Sequence, residues 1–138
     1  MKPVIMDAGP LIAWLCIKDS HHHWAIQTFD RLPSGLLVCE AVLAEACHLV
    51  AKDGVPPAEV LKLVEQTDLI LISLAGQTGH IRSLLQRYAD APMDFADACV
   101  VRLAELHPDA TVCTTDGHFR FFRKHGQENI PLLAPFAV

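Results

Sequence analysis

The chain is organised around residues 92–101, which read Pro92-Met93-Asp94-Phe95-Ala96-Asp97-Ala98-Cys99-Val100-Val101. Asp94 is a suitable N-cap residue, so we expect a helix from about Phe95 to Leu106. In such a helix Asp94, Asp97 and Val101 lie on adjoining parts of one face. Two carboxylates therefore sit beside side chains that belong in a hydrophobic core.

The two acids invite different interpretations. A capping role accounts for Asp94 without any further function, because aspartate is a preferred N-cap residue. Asp97 falls in the first helical turn, where the helix dipole favours a carboxylate, yet the residues three and four positions later are Val100 and Val101. A carboxylate buried among valines needs a hydrogen-bonding partner or a cation.

Composition sets broad limits on the protein. The 138 residues are 51% hydrophobic, which is enough for a single domain spanning residues 1–138 with a proper core. A net charge of −5 argues against a broadly basic nucleic-acid surface but permits a local basic rim. The apolar run 11–17 is too short to span a bilayer, and Asp7 interrupts any signal-peptide core, so we predict a cytoplasmic protein without a membrane partner.

Strand and helix signals alternate along the chain. Short apolar runs predict strands at 4–6, 36–39, 69–72, 111–114 and 131–133. Helical periodicity lies between them, including helices at about 40–51 and 80–88. This alternation predicts an α/β fold with a mostly parallel central sheet flanked by helices. Because the run 69–72 is almost purely apolar, we expect it to be covered on both faces.

Three further acids occupy informative positions. Asp7 and Asp116 each follow a predicted strand, at the sheet edge where ligands bind in open α/β proteins. Aspartate is also a common turn former, so that interpretation stays open for Asp7. Glu45 projects from the apolar stripe of the helix at 40–51, unless it simply extends to water from the edge of that stripe.

If these acids converge, they repel one another, and a divalent cation would relieve that repulsion. The ligands are all oxygen atoms, which favours Mg²⁺ or Mn²⁺ over Zn²⁺. The three histidines 21–23 are better explained as a solvated loop or helix start, and the five cysteines, without a C-x-x-C pair, as small buried hydrophobes. Because Mg²⁺ sites are typically completed by phosphate oxygens, the pattern indicates metal-assisted hydrolysis of a phosphodiester.

Four segments, in this order, resemble the PIN domain, close to its VapC-type toxin branch. They are Val4-Ile5-Met6-Asp7-Ala8-Gly9-Pro10-Leu11, Val42-Leu43-Ala44-Glu45-Ala46, Tyr88-Ala89-Asp90-Ala91-Pro92-Met93-Asp94-Phe95-Ala96-Asp97-Ala98 and Thr114-Thr115-Asp116-Gly117-His118-Phe119. The resemblance implies a Mg²⁺- or Mn²⁺-dependent endoribonuclease. It further implies a toxin that is held inactive by a small antitoxin protein and is often a homodimer.

The resemblance also assigns site residues. The family's acidic positions fall on Asp7, Glu45, Asp97 and Asp116, with Asp94 as an accessory metal ligand. His118 is a departure, because relatives often have a second acid or a polar residue there. The alternative to a nuclease is a PIN-like module that binds RNA or a protein without cleaving.

A further set of expectations concerns contact with RNA. Arg82, Arg120, Arg123 and Lys124 are the candidate bases. The last three belong to the segment 118–125, which we otherwise expect to be an amphipathic turn that packs its phenylalanines inward.

Overall fold

The structure is a computed structural model that describes residues 2–138. Helices and strands alternate as the sequence predicts. In chain order they are β1 (Val4–Met6), α1 (Ala8–Leu15), α2 (His22–Arg31), β2 (Leu37–Cys39), α3 (Glu40–Lys52), α4 (Ala58–Gln66), β3 (Ile70–Ile72), α5 (Thr78–Arg87), α6 (Phe95–Leu106), β4 (Thr111–Cys113), a 3-10 helix (Gly117–Arg120), β5 (Arg123–Lys124), β6 (Glu128–Asn129) and β7 (Leu132–Leu133).

Five strands form one parallel sheet in the order β3-β2-β1-β4-β7. The α/β prediction with a parallel central sheet is therefore confirmed. In the register of the two central strands, Met6 lies opposite Cys113. The residues that follow β1 and β4 consequently emerge side by side at the carboxyl edge of the sheet.

Helix α6 has the bounds that its sequence predicts, and it lies in the middle of the fold. Its residues Val100, Val101 and Leu103 are fully buried. The helix contacts α3, α5 and the central strand β1. This central position explains why the helix carries apolar side chains on most of its surface rather than on one stripe.

Strand β3 does not have the environment that its composition predicts. Ile70 and Leu71 are 47% and 49% exposed, although a strand covered on both faces was expected. The reason is topological, because β3 is the terminal strand and pairs only with β2. An apolar composition indicates a strand but does not distinguish an edge strand from a central one.

The segment after β4 packs its aromatic residues inward only in part. Phe119 and Phe122 are buried with their ring centroids 5.1 Å apart, as the amphipathic turn predicts. Phe121 contradicts that expectation, because it is 67% exposed. Beyond it, β5 and β6 form a small antiparallel pair outside the main sheet.

The cysteines and histidines take the structural roles that the sequence predicts. All five thiols are free; four are buried and Cys47 is partly buried. His21 precedes α2, His22 and His23 begin it, and a ring nitrogen of His22 lies 2.7 Å from the Ala13 carbonyl oxygen. Within residues 2–138, no helix combines the length and apolar character needed to cross a membrane.

Candidate active site

Asp7 and Asp116 are linked at the carboxyl edge of the sheet by a buried hydroxyl group. Asp7 directly follows β1 and is almost fully buried. The hydroxyl of Thr114 donates to Asp7 Oδ2 at 2.7 Å, and Thr114 Oγ1 accepts from the backbone N–H of Asp116 at 3.0 Å. Asp7 stands at the N-cap position of α1 but makes no side-chain capping hydrogen bond. A turn-forming role therefore does not account for its carboxylate.

Asp94 and Asp97 fix one another through a capping box at the start of α6. The Asp94 carboxylate accepts from the backbone N–H of Asp97 at 2.8 Å. In return, Asp97 Oδ2 accepts from the backbone N–H of Asp94 at 3.1 Å. The predicted N-cap role of Asp94 is confirmed. These bonds hold the buried carboxylate of Asp97 in a fixed orientation.

Glu45 reaches the same region from α3. It lines a cleft together with Asp94, Phe95 and His48. Its Oε2 atom is buried and has no hydrogen-bond partner among the described residues. A side chain that simply extended to water would not bury this oxygen, so the alternative of a stripe-edge glutamate does not hold. A buried carboxylate oxygen without a partner is costly and needs an explanation.

These five acids, Asp7, Glu45, Asp94, Asp97 and Asp116, form what we call the acid cluster. Burial raises the pKa of Asp7 to about 6, against the opposing effect of the Thr114 hydrogen bond. Burial likewise raises the pKa of Glu45 to about 7 and lifts the pKa of Asp97 well above its ordinary value. Repulsion from other carboxylates of the acid cluster adds to all three shifts.

The residues of the acid cluster fit a divalent cation of the Mg²⁺ or Mn²⁺ type. They offer only oxygen donors, one of which, Glu45 Oε2, is buried and finds no partner in the part of the chain that the structure describes. The side chains are neighbours rather than a closed coordination shell: within residues 2–138, no three His, Cys, Asp or Glu side chains already converge as a metal-binding group. A cation would neutralise the mutual repulsion that adds to the effect of burial on their pKa values.

The four candidate RNA-contacting bases have different environments. Arg82 is exposed and lines a groove beside Phe95. Arg120 is exposed, but its guanidinium packs over the rings of Phe121 and Phe136 and donates to backbone carbonyls. Arg123 donates to the carbonyl oxygens of Arg120 and Phe122.

Lys124 does not suit the role predicted for it. It is buried, and its ammonium group donates to the Pro108 carbonyl oxygen at 2.8 Å. The aliphatic part of the lysine side chain packs in the interior, and a backbone carbonyl oxygen accepts a hydrogen bond from its ammonium group. Of the four bases, only Arg82 has an exposed guanidinium without a hydrogen bond to the part of the chain that the structure describes.

The sequence did not predict the role of Thr114 or the contact between His118 and Asp116. Threonine is an ordinary strand residue, so its role became visible only from the two hydrogen bonds that it makes. His118 lies beside Asp116, with its Nδ1 atom 2.8 Å from Asp116 Oδ1. The position that departs from the PIN pattern therefore contacts an acid of the cluster.

Comparisons with known proteins agree with this architecture. Residues 4–124 match the family model of the PIN domain. Among solved structures, the chain is similar to VapC20 (Rv2549c) of Mycobacterium tuberculosis, described as a toxin that cleaves the sarcin-ricin loop. The TM-score is 0.73 at 14% identity, covering 83% of this chain and 90% of the toxin. Among curated proteins, none matches the sequence.

Proposed function

This chain belongs to the PIN domain family, and from that premise we propose that it is a Mg²⁺- or Mn²⁺-dependent endoribonuclease. One solved structure that shares its fold, VapC20, is described as a sarcin-ricin loop cleaving toxin, which supports RNA as the substrate class. We propose further that the chain is the toxin of a toxin-antitoxin pair. Burial and mutual repulsion in the acid cluster support the metal requirement.

In this proposal Asp7 and Asp97 hold the cation, Asp116 and Glu45 hold it through water or position the attacking water, and Asp94 is an accessory ligand. When bound, the ion lowers the pKa of water and stabilises charge on the phosphodiester. Thr114 orients the Asp7 carboxylate, and the capping box orients Asp97. Both acids are thereby held in place before substrate arrives.

Glu45 is our candidate for the proton acceptor of the acid cluster. Its Oε2 atom has no partner among the described residues, and its pKa is raised to about 7. A carboxylate oxygen that makes no other hydrogen bond can accept one from water. We assign Glu45 Oε2 the task of orienting the attacking water and accepting its proton.

The observation that carries the proposal is the buried Glu45 oxygen, which has no partner within residues 2–138 and feels the charges of Asp7, Asp94 and Asp116. The test is cleavage of a mixed RNA pool by the purified, partner-free protein with Mg²⁺ or Mn²⁺. Asp7→Asn preserves an acceptor for the Thr114 hydroxyl, so the variant should fold, yet we expect its cleavage rate to fall at least about 100-fold.

Asp109→Asn is the matched control. Asp109 is exposed and precedes β4, whereas Asp116 follows the same strand. Asp109 therefore lies at the opposite end of β4 from the site, and we expect the wild-type rate from this variant. A well-folded Asp7→Asn protein with full activity would contradict the proposed site. RNA binding without cleavage by the wild type would instead favour the non-catalytic PIN-like module.

We propose two protein partners on the same grounds. One is a small antitoxin encoded beside this chain, and the other is a second copy of the chain in a homodimer. Co-purification with the product of the neighbouring reading frame, followed by loss of RNA cleavage in the complex, tests the first. A neighbouring product that binds without reducing cleavage would count against an antitoxin role.

A further inference from the structure

A groove of about 440 Å³ opens next to the acid cluster, on the other side of Phe95. It lies between the carboxyl ends of β2 and β3 and the helices α5 and α6, and we call it the Phe95 groove. Its wall is mainly apolar, built from side chains that include Ile72, Leu74 and Leu85. The volume falls in the range of small-molecule sites, about 300–1,000 Å³.

Phe95 separates this groove from the acid cluster. Its side chain lines both the Phe95 groove and the cleft that contains Glu45 and Asp94. The residue is 59% exposed, although it follows directly on the N-cap of a buried helix. A polynucleotide with a phosphate at the acid cluster would therefore pass beside an exposed aromatic ring.

The charges of the Phe95 groove favour a neutral, flat occupant. The groove contains one carboxylate, Glu40, and one guanidinium, Arg82, whose charges offset each other. Its remaining surface is largely apolar, so neither a phosphate nor a charged peptide segment is well matched. Together, a carboxylate acceptor and a guanidinium donor can pair with the polar edge of a nucleobase.

We propose that the Phe95 groove binds the base of an unpaired RNA nucleotide that flanks the cleaved phosphodiester. The base stacks on the ring of Phe95, with Arg82 and Glu40 at its edge. Every base has an aromatic face, so stacking of this kind selects single-stranded RNA over a paired duplex without demanding one sequence. This inference rests on the proposed nuclease function, whose substrate selection it explains.

The first experiment compares Phe95→Leu with Phe95→Trp. Leucine keeps an apolar side chain but removes the aromatic face, whereas tryptophan retains it. Base stacking is worth about 1–3 kcal/mol, so we expect Phe95→Leu to lose about 5- to 150-fold in kcat/KM, while Phe95→Trp stays close to wild type. Leu61→Ala, which truncates another exposed apolar side chain on α4, is the matched control and should cleave normally.

A second experiment locates the ring on the substrate. Once the cleavage position in an RNA is mapped, the base on either side is removed to leave an abasic ribose. One of these substitutions should slow the wild type about as much as Phe95→Leu does, and it should not slow Phe95→Leu further. Equal activity of Phe95→Leu and wild type would overturn the inference and favour a protein partner in the groove. Fully additive losses would overturn it as well.

A binding measurement separates failure of this inference from failure of the nuclease proposal. A short single-stranded RNA with one central 2-aminopurine between randomised nucleotides is titrated with wild type and Phe95→Leu in EDTA. Quenching by wild type alone would support the groove. If the same protein also cleaves no RNA in the separate assay with Mg²⁺ or Mn²⁺, the groove proposal stands and the nuclease proposal fails. If wild type cleaves RNA but neither protein quenches the probe, the groove proposal is wrong and the nuclease proposal stands.

Discussion

Thr114 shows how much of this site depends on one hydroxyl group. It is fully buried, donates to Asp7 and accepts from the backbone of Asp116. The donated bond stabilises the charged form of a carboxylate that burial would otherwise protonate. Thr114 is therefore a positioning residue that also keeps Asp7 available as a ligand near neutral pH.

Thr114→Val should move the pH dependence of RNA cleavage. Valine has nearly the same shape but cannot donate, so the pKa of Asp7 rises above its present value of about 6. A lost hydrogen bond to a charged group is worth about 1.5–3 kcal/mol, which corresponds to about one to two pH units. We expect the acidic limb of the rate profile to shift upward by that amount. Thr114→Ser should restore the wild-type profile, and an unshifted limb in Thr114→Val would refute this role.

At the scale of elements, the first helix and the segment after β4 approach one another closely. A methyl group on Gly9 would overlap the Thr115 hydroxyl oxygen and crowd the Thr115 Cβ atom, so alanine here requires the Thr115 side chain to move. Thr115 lies between Thr114 and Asp116, so the contact brings α1 close to two residues of the site.

Gly9→Ala should destabilise the fold and weaken cleavage together. Overpacking of this kind costs about 1–3 kcal/mol, measurable as a lower urea midpoint. Gly79→Ala is the control, because Gly79 lies in α5 with open space around it. There, alanine should leave stability unchanged or raise it by up to about 1 kcal/mol. If Gly9→Ala were as stable and active as wild type, the close approach of Gly9 and Thr115 would matter for neither folding nor cleavage.

The exposed edge strand β3 is a candidate surface for the proposed homodimer. Ile70 and Leu71 present apolar surface on a strand that has one unpaired side, and such edges favour pairing with another chain. If the proposed homodimer uses this edge, Leu71→Lys should shift the protein from dimer to monomer in sedimentation velocity. Ile17→Lys, at an exposed position before α2, should leave the dimer intact. A Leu71→Lys dimer as tight as wild type would place the interface elsewhere.

The elements also show what sequence can and cannot predict. The bounds of α6 were predictable because the Asp94 cap and the apolar periodicity are local signals. The exposure of Leu71 was not, because whether a strand is central depends on the order of strands in the sheet. Lys124 was misjudged for a similar reason, since the carbonyl of Pro108 that binds it comes from another part of the chain. Strand-end positions predicted Asp7 and Asp116, but their link through Thr114 required the fold.

At the scale of the whole molecule, the acid cluster lowers the stability of the metal-free fold at neutral pH. Asp7, Glu45 and Asp97 all have raised pKa values, so the native chain binds more protons than the unfolded chain. The free energy of unfolding of the metal-free protein should therefore fall as pH rises from about 4 to about 8. The shift of Asp7 alone corresponds to about 3 kcal/mol.

Urea denaturation in EDTA at about pH 5 and about pH 8 measures this effect. We expect greater stability at the lower pH, a flatter dependence in Asp97→Asn, and a gain on adding Mn²⁺ that is larger at the higher pH, where the carboxylates are charged. Stability that rises with pH in EDTA would contradict the assigned pKa shifts.

The central claim is that the acid cluster binds a divalent cation and cleaves RNA with it. Its most direct test is a Mn²⁺ titration of the purified, partner-free protein in which bound Mn²⁺, followed by electron paramagnetic resonance, and RNA cleavage are measured in the same samples. We predict that both rise over one concentration range and that Asp97→Asn loses both. Cleavage that persists in EDTA, or in Asp97→Asn without bound Mn²⁺, would contradict the claim.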